Sequence, residues 1–253
     1  MHFDANIHKI FPSAELQIQG AIPPSPLGLE EAVAAEPRDW AAATAFALWR
    51  ADGATDPRPL ALVTVKAWRG ERGGFSARGL AALGVDPGRV IQVRAEREIE
   101  ALWAMEEALK SGAVSGAVGT VEQPSLVATR RLDFAAREGR ATGVVLRIGG
   151  QSDLSAARRR WRLSSEPSAA HPFDPRAPGA ARLKAELTRR RDGPLGAWDL
   201  EQDHETHRLR LAAGLADHGL VQGRRAHVAC PRIFPLWGKS PRSGGRGPSL
   251  RPD

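Results

Sequence analysis

Apolar and polar positions change their rhythm once along this chain. Between Leu60 and Ile148 short apolar runs alternate with amphipathic stretches, and from Trp161 onward apolar and charged residues alternate almost one by one. Leu60–Val65, Val90–Val93, Ala113–Val118 and Gly143–Ile148 are short, apolar and mostly rich in β-branched residues. A strand covered on both faces carries such a continuous apolar run, so these four read as buried strands. Helices fall before and between them. The first starts at Asp39, with Trp40, Ala43, Phe46, Ala47 and Leu48 on its apolar side. A short one spans Gly79–Gly84, closed by Gly84 with Asp86-Pro87-Gly88 as its turn. Glu96–Lys110 is the clearest: Glu96, Glu98 and Glu100 lie near its positive end and Lys110 near its negative end. Ile99, Leu102, Trp103 and Leu109 form its apolar stripe, which places Trp103 in the core rather than at a ligand. Ser125 caps a further helix that runs to Glu138 and stops at Gly139.

Alternating strands and helices predict an α/β fold with a mostly parallel sheet flanked by helices. Trp161–Leu163, Ala181–Arg191, Gly196–Gln202 and His207–Leu211 then read as short antiparallel strands with one wet face, added at the C-terminal side. Residues 1–30 are expected to form a flexible N-terminal segment, because Ala21–Pro26 with its three prolines fits neither helix nor sheet interior. The core is expected over 31–220. Residues 221–253, mostly Arg, Gly, Pro and Ser, are expected to be a basic disordered tail.

Charge is unevenly placed. Residues 1–146 hold 16 Lys and Arg against 18 Asp and Glu, whereas residues 147–253 hold 20 against 11. The second half can therefore attract a polyanion and the first cannot. Its densest clusters are Arg158, Arg159, Arg160 and Arg162 around Trp161, and Arg189, Arg190 and Arg191. Two readings stand: contacts to DNA phosphates or an acidic partner, with Trp161 stacked on a base, or a solvated strand face with Trp161 in the core. The tail arginines beside Phe234 and Trp237 fit a segment that folds on a partner or a plain solubilising tail. Cys230 is the single cysteine, so an internal disulfide is excluded and a reducing cytoplasm fits. No apolar run reaches 18 residues and no leader pattern opens the chain, so a membrane location is not expected.

Two local patterns imitate chemistry. Asp203-His204-Glu205-Thr206-His207 groups two His and two acids, but it lies at a predicted hairpin turn, where polar residues are the default. Gly238-Lys239-Ser240 spells the end of a phosphate loop, yet Ile233 stands where its first glycine belongs and Pro241 where its helix should begin. Neither is taken as a site, and no metal is expected.

Leu83–Ile91, followed by the acidic helix ending Ala108-Leu109-Lys110-Ser111-Gly112-Ala113-Val114, resembles the middle of the RecA core. Gly79–Gly84, Glu100–Leu109, Thr129–Leu132, Ala156–Leu163 and Trp198–Glu201 are similar, in order and spacing, to the ImuA family of RecA-like proteins from bacterial inducible-mutagenesis operons. The resemblance covers roughly residues 20–220. It implies an accessory protein of SOS-induced translesion DNA synthesis that binds an ImuB-like relative of Y-family polymerases, works beside a DnaE-type error-prone polymerase, and contacts RecA. The related alternative is a SulA-like regulator acting on FtsZ or RecA. A divergent ATPase is the third reading.

An active RecA core needs a Gly-rich loop with its Lys and hydroxyl, a carboxylate for Mg²⁺, and a Glu that orients water. The loop position holds Glu36-Pro37-Arg38-Asp39, the second strand end holds Val118-Gly119-Thr120, and Lys66-Ala67-Trp68 stands where the resemblance places the Glu. All three are missing together. No catalytic residue and no cofactor are expected, so function is expected to rest on surfaces.

Overall fold

The computed structural model describes residues 21–53, 55–148, 154–174 and 176–212. Among the described residues nine strands form one sheet: β1 (Gly28–Ala34), β2 (Leu60–Val65), β3 (Val90–Ala95), β4 (Gly116–Thr120), β5 (Thr142–Ile148), β6 (Arg159–Glu166), β7 (Arg182–Arg190), β8 (Gly196–Gln202) and β9 (Leu209–Leu211). Their order is β3-β2-β4-β5-β1-β6-β7-β8-β9. Neighbours from β3 through β6 pair parallel, and β7, β8 and β9 add antiparallel. The mostly parallel, helix-flanked sheet with an antiparallel C-terminal side is therefore as expected.

Helix α1 (Trp40–Ala51) and the short α3 (Ala77–Ala82) cover one face; α4 (Glu98–Lys110) and α5 (Leu126–Glu138) cover the other. Side chains alternate across the strands, so Leu60, Leu62, Val118 and Leu146 pack toward α1 while Ala61, Val63, Ala117 and Val145 pack toward α4 and α5. Beyond β1 only the α1 side is apolar. Trp161, Leu163, Leu183, Leu187, Trp198 and Leu200 continue that core, and charged residues occupy the other side of β6–β8.

Four details depart from the sequence expectation. β6 pairs parallel with β1 and only its outer edge is antiparallel, because the chain crosses over after β5 before returning. The flexible lead-in expected through residue 30 gives way to β1 at Gly28, and the carbonyls of Pro23 and Pro24 accept hydrogen bonds from Arg50 and Arg159. Lys66–Arg72 forms a helix, α2, directly after β2. Trp103 is exposed, since the buried stripe of α4 is Ala101, Met105 and Leu109 at helical spacing.

The carboxyl ends of α4 and α5 meet closely. A Cβ on Gly139 would collide with the Leu109 carbonyl, so only glycine allows the approach. Arg58 bridges both ends, donating to the carbonyls of Gly112 at 2.9 Å, Gly139 at 3.2 Å and Arg140 at 2.9 Å, while Asp56 accepts from its Nε and Nη2. One guanidinium thus serves orphan carbonyls of two helices. Arg58→Ala is expected to cost about 1–3 kcal/mol in denaturant unfolding. The Arg58 guanidinium also keeps the Asp56 carboxyl below the ordinary aspartate value of 3.8. A depressed carboxylate stabilises the fold above its unfolded value and loses that contribution as pH falls through its folded value. Arg58→Ala should therefore flatten part of the stability loss that wild type shows below pH 3.8. An unchanged acid limb would reject this account.

Candidate functional site

In open parallel sheets ligands lie beyond the carboxyl ends of the strands. At that edge here, β1 leads into Glu36, a 3-10 turn at Pro37–Asp39 and then α1; β2 leads into α2; β4 ends at Thr120 and β5 at Ile148. The three positions singled out from the sequence are thus brought together, and each is occupied by the protein's own groups. The buried Asp39 carboxylate accepts from the backbone N–H of Ser165 at 2.9 Å and of Glu36 at 3.1 Å. It stands at the start of α1, where a helix end would otherwise attract phosphate. Thr120 Oγ1 accepts from the Val65 N–H at 3.3 Å, which ties β4 to β2.

Aromatic rings fill the remaining space. Trp68, buried, lies 5.1 Å from Trp40 and stacks on Phe75 at 5.4 Å, and the Arg72 guanidinium covers Trp40 at 5.5 Å. A cleft of about 210 Å³ is left, lined by Trp40, Trp68, Arg72, Thr120 and Arg147 among others. Sites that enclose a cofactor-sized ligand start at about 300 Å³. Glu71, Glu98 and Glu122 also line it, which disfavours a polyphosphate. Phe75 and the packing role of Trp68 escaped the sequence reading, which noted Trp68 only as part of the run standing in place of the Glu.

The arginine clusters have separate fates. Arg159 is 4% exposed and pairs with Asp192 at 3.1 Å, beside Glu30 at 3.6 Å. Arg160 binds the buried Glu31, Arg158 lies 3.3 Å from Asp133, and Arg190 donates to Asp192 at 3.1 Å. Burial pushes the Asp192 carboxyl up, but Arg159 and Arg190 more than offset that and hold it below the usual range. Arg162, Arg189 and Arg191 have no ionic or hydrogen-bonded partner among the described residues, and Arg162 and Arg191 are exposed. Trp161 is fully buried, 5.0 Å from Phe46, so no base can stack on it.

The sequence reading missed Glu30 and Glu31, both fully buried in β1. Two adjacent glutamates look like a surface run, and their partners stand 20 to about 130 residues away. Asp203, His204, Glu205 and His207 form a turn between β8 and β9. Asp203 accepts from the Thr206 N–H and hydroxyl at 2.9 Å each, which hold its carboxyl below the ordinary range. Among the described residues no cluster of His, Cys, Asp and Glu suits a metal ion, and no helix is long and apolar enough to cross a membrane. Cys230, Gly238-Lys239-Ser240 and the tail with Phe234 and Trp237 lie outside the described residues.

No family model matches the chain. Two proteins named ImuA, from two strains of Caulobacter vibrioides, are 36% identical to it over 238 residues, covering 88% of this chain and 93% of theirs. The chain belongs to the ImuA family. A cell division inhibitor SulA from Edwardsiella piscicida is 38% identical over 71 residues, 28% of this chain and 42% of that protein. The crystal structure of SulA from Pseudomonas aeruginosa matches with 25% identity over 49% of this chain and all of that one; its TM-score of 0.42 is too low to carry a conclusion.

Proposed function

We propose that this ImuA-family protein is a non-catalytic accessory factor of SOS-induced translesion DNA synthesis. Family membership and the partial likeness to SulA support a role in the DNA-damage response. In this reading it binds an ImuB-like polymerase relative, and RecA, and so serves a DnaE-type error-prone polymerase at lesions. The observation that carries the non-catalytic part is the strand-end edge filled by Asp39, Trp40, Trp68 and Phe75. A fold that has closed its phosphate position acts through contacts with other macromolecules.

Titration calorimetry with ATP and Mg²⁺ should show no binding; a dissociation constant in the micromolar range would overturn the reading. A pulldown from DNA-damaged cells should recover the ImuB-like protein and the polymerase. The SulA segment favours one rival, a division inhibitor. Recovery of FtsZ without the polymerase would replace the proposal with that one. DNA contact, if direct, falls to the exposed Arg162 and Arg191, since Arg159 and Arg160 are committed to carboxylates inside the fold.

A further inference from the structure

We propose that the outer face of α4 and α5 is self-complementary and joins two copies of this chain. Four large apolar side chains stand on it: Ile99 at 68% exposure, Trp103 at 62%, Val127 at 65% and Phe134 at 61%. Singly exposed apolar residues are ordinary, but a contiguous group on two neighbouring helices marks an interaction site. Between them runs a groove of about 750 Å³, lined by Ile99, Leu102, Trp103 and Val127 together with charged residues that include Glu98, Glu106 and Arg131.

Charge identifies the occupant. The exposed side of α4 carries Glu107 and the exposed side of α5 carries Arg130, while Glu100 is half-buried and pairs with Arg97 at 2.8 Å. Helical spacing orders the face as an acidic rim, the Ile99–Trp103 ridge, the groove, the Val127–Phe134 ridge and a basic rim. Glu106 and Arg131 already pair across the groove at 2.8 Å, whereas Glu107 and Arg130 have no partner among the described residues. Two copies face to face must share a two-fold axis lying in the contact plane. An axis across the helices would set acidic rim on acidic rim. An axis along them sets α4 of one copy on α5 of the second, acid against base and ridge into groove. The carboxyl ends of α4 and α5 coincide at Arg58, so Glu107 of one copy and Arg130 of the second lie about one turn apart, on the order of 6 Å. Their side chains span that.

Each helix has 13 residues and is about 20 Å long, so the pair presents on the order of 400 Å². That is below the standard size for a stable complex, which places the dimer in a concentration-dependent, micromolar regime. The inference is independent of what the protein binds in the cell.

Sedimentation of the full chain across a micromolar concentration series tests it. Wild type should shift from monomer to dimer, less so in high salt, which screens the rims. Trp103→Ser should weaken the dimer at least about tenfold, as loss of a central aromatic does, with an unchanged melting temperature because Trp103 faces outward. Glu107→Arg should weaken it, and Arg130→Glu in the same chain should restore it. A wild-type monomer at every concentration would overturn the proposal and leave the groove to another protein. Dimerisation insensitive to Trp103→Ser, or charge reversals that fail to compensate, would also overturn it.

Discussion

Glu30→Ala is expected to destabilise this protein by about 3–5 kcal/mol, because it strips the counter-ion from a buried guanidinium. Glu30 lies in the middle of β1 with no exposed surface. Its two oxygens accept from Arg50 Nε and Arg50 Nη2 at 2.8 Å each, a bidentate pair, and one also accepts from Trp161 Nε1 at 3.3 Å. Arg159 stands 3.6 Å away on the other side. After the substitution Arg50 keeps only the Pro23 carbonyl, at 2.7 Å, and the faces of Phe46, Trp49 and Trp161. Those rings attract a cation but do not replace a carboxylate. Thermal unfolding should show a drop of roughly 6–20 °C, at the usual 2–4 °C per kcal/mol for a chain of this size. The paired change Glu30→Leu with Arg50→Met should recover most of it, since it removes both charges and keeps volume. A single Glu30→Ala within 1 kcal/mol of wild type would mean that water reaches this site, contrary to its burial.

That cluster shows where reading the sequence stops. Strands β2, β3 and β5 and helices α1, α4 and α5 were legible because each carries its own local signal: an apolar run, a helical stripe, a cap at Ser125 or a stop at Gly139. That the residues singled out after β1, β2 and β4 share one edge followed from the alternation of strands and helices. What fills that edge was not legible. Trp68 and Phe75 meet through a turn no pattern announces, and Asp39 reaches Ser165 across 126 residues. The arginine run at the start of β6 looked like a polyanion surface because charge is read locally, whereas its carboxylates arrive from β1 and from the turn after β7. Trp103 failed for a different reason. An apolar stripe on a helix does not tell which of two faces is covered, and the sheet took Ala101, Met105 and Leu109 instead.

The packing at the strand ends can be separated from its chemistry by Trp68→Ala. Trp68 is buried between Trp40 and Phe75, with its Nε1 unpaired among the described residues, so truncation removes two aromatic contacts and no hydrogen bond. Deleting a buried Trp costs about 3–5 kcal/mol, moderated if Phe75 or Arg72 collapses into the space. The drop in melting temperature should therefore be roughly 6–20 °C. The 210 Å³ cleft beside it would widen into the range of ligand sites. Even so, Trp68→Ala should not bind ATP–Mg²⁺ by calorimetry. The opened space gains no lysine and no magnesium-holding hydroxyl, and the Asp39 carboxylate still stands at the start of α1, where it repels phosphate. ATP binding by the variant would show that the aromatic plug alone blocks the nucleotide, and that the chemistry for holding phosphate survives beneath it. If the variant stays inert, the loss lies in the residues at the strand ends, and the aromatic packing followed from it.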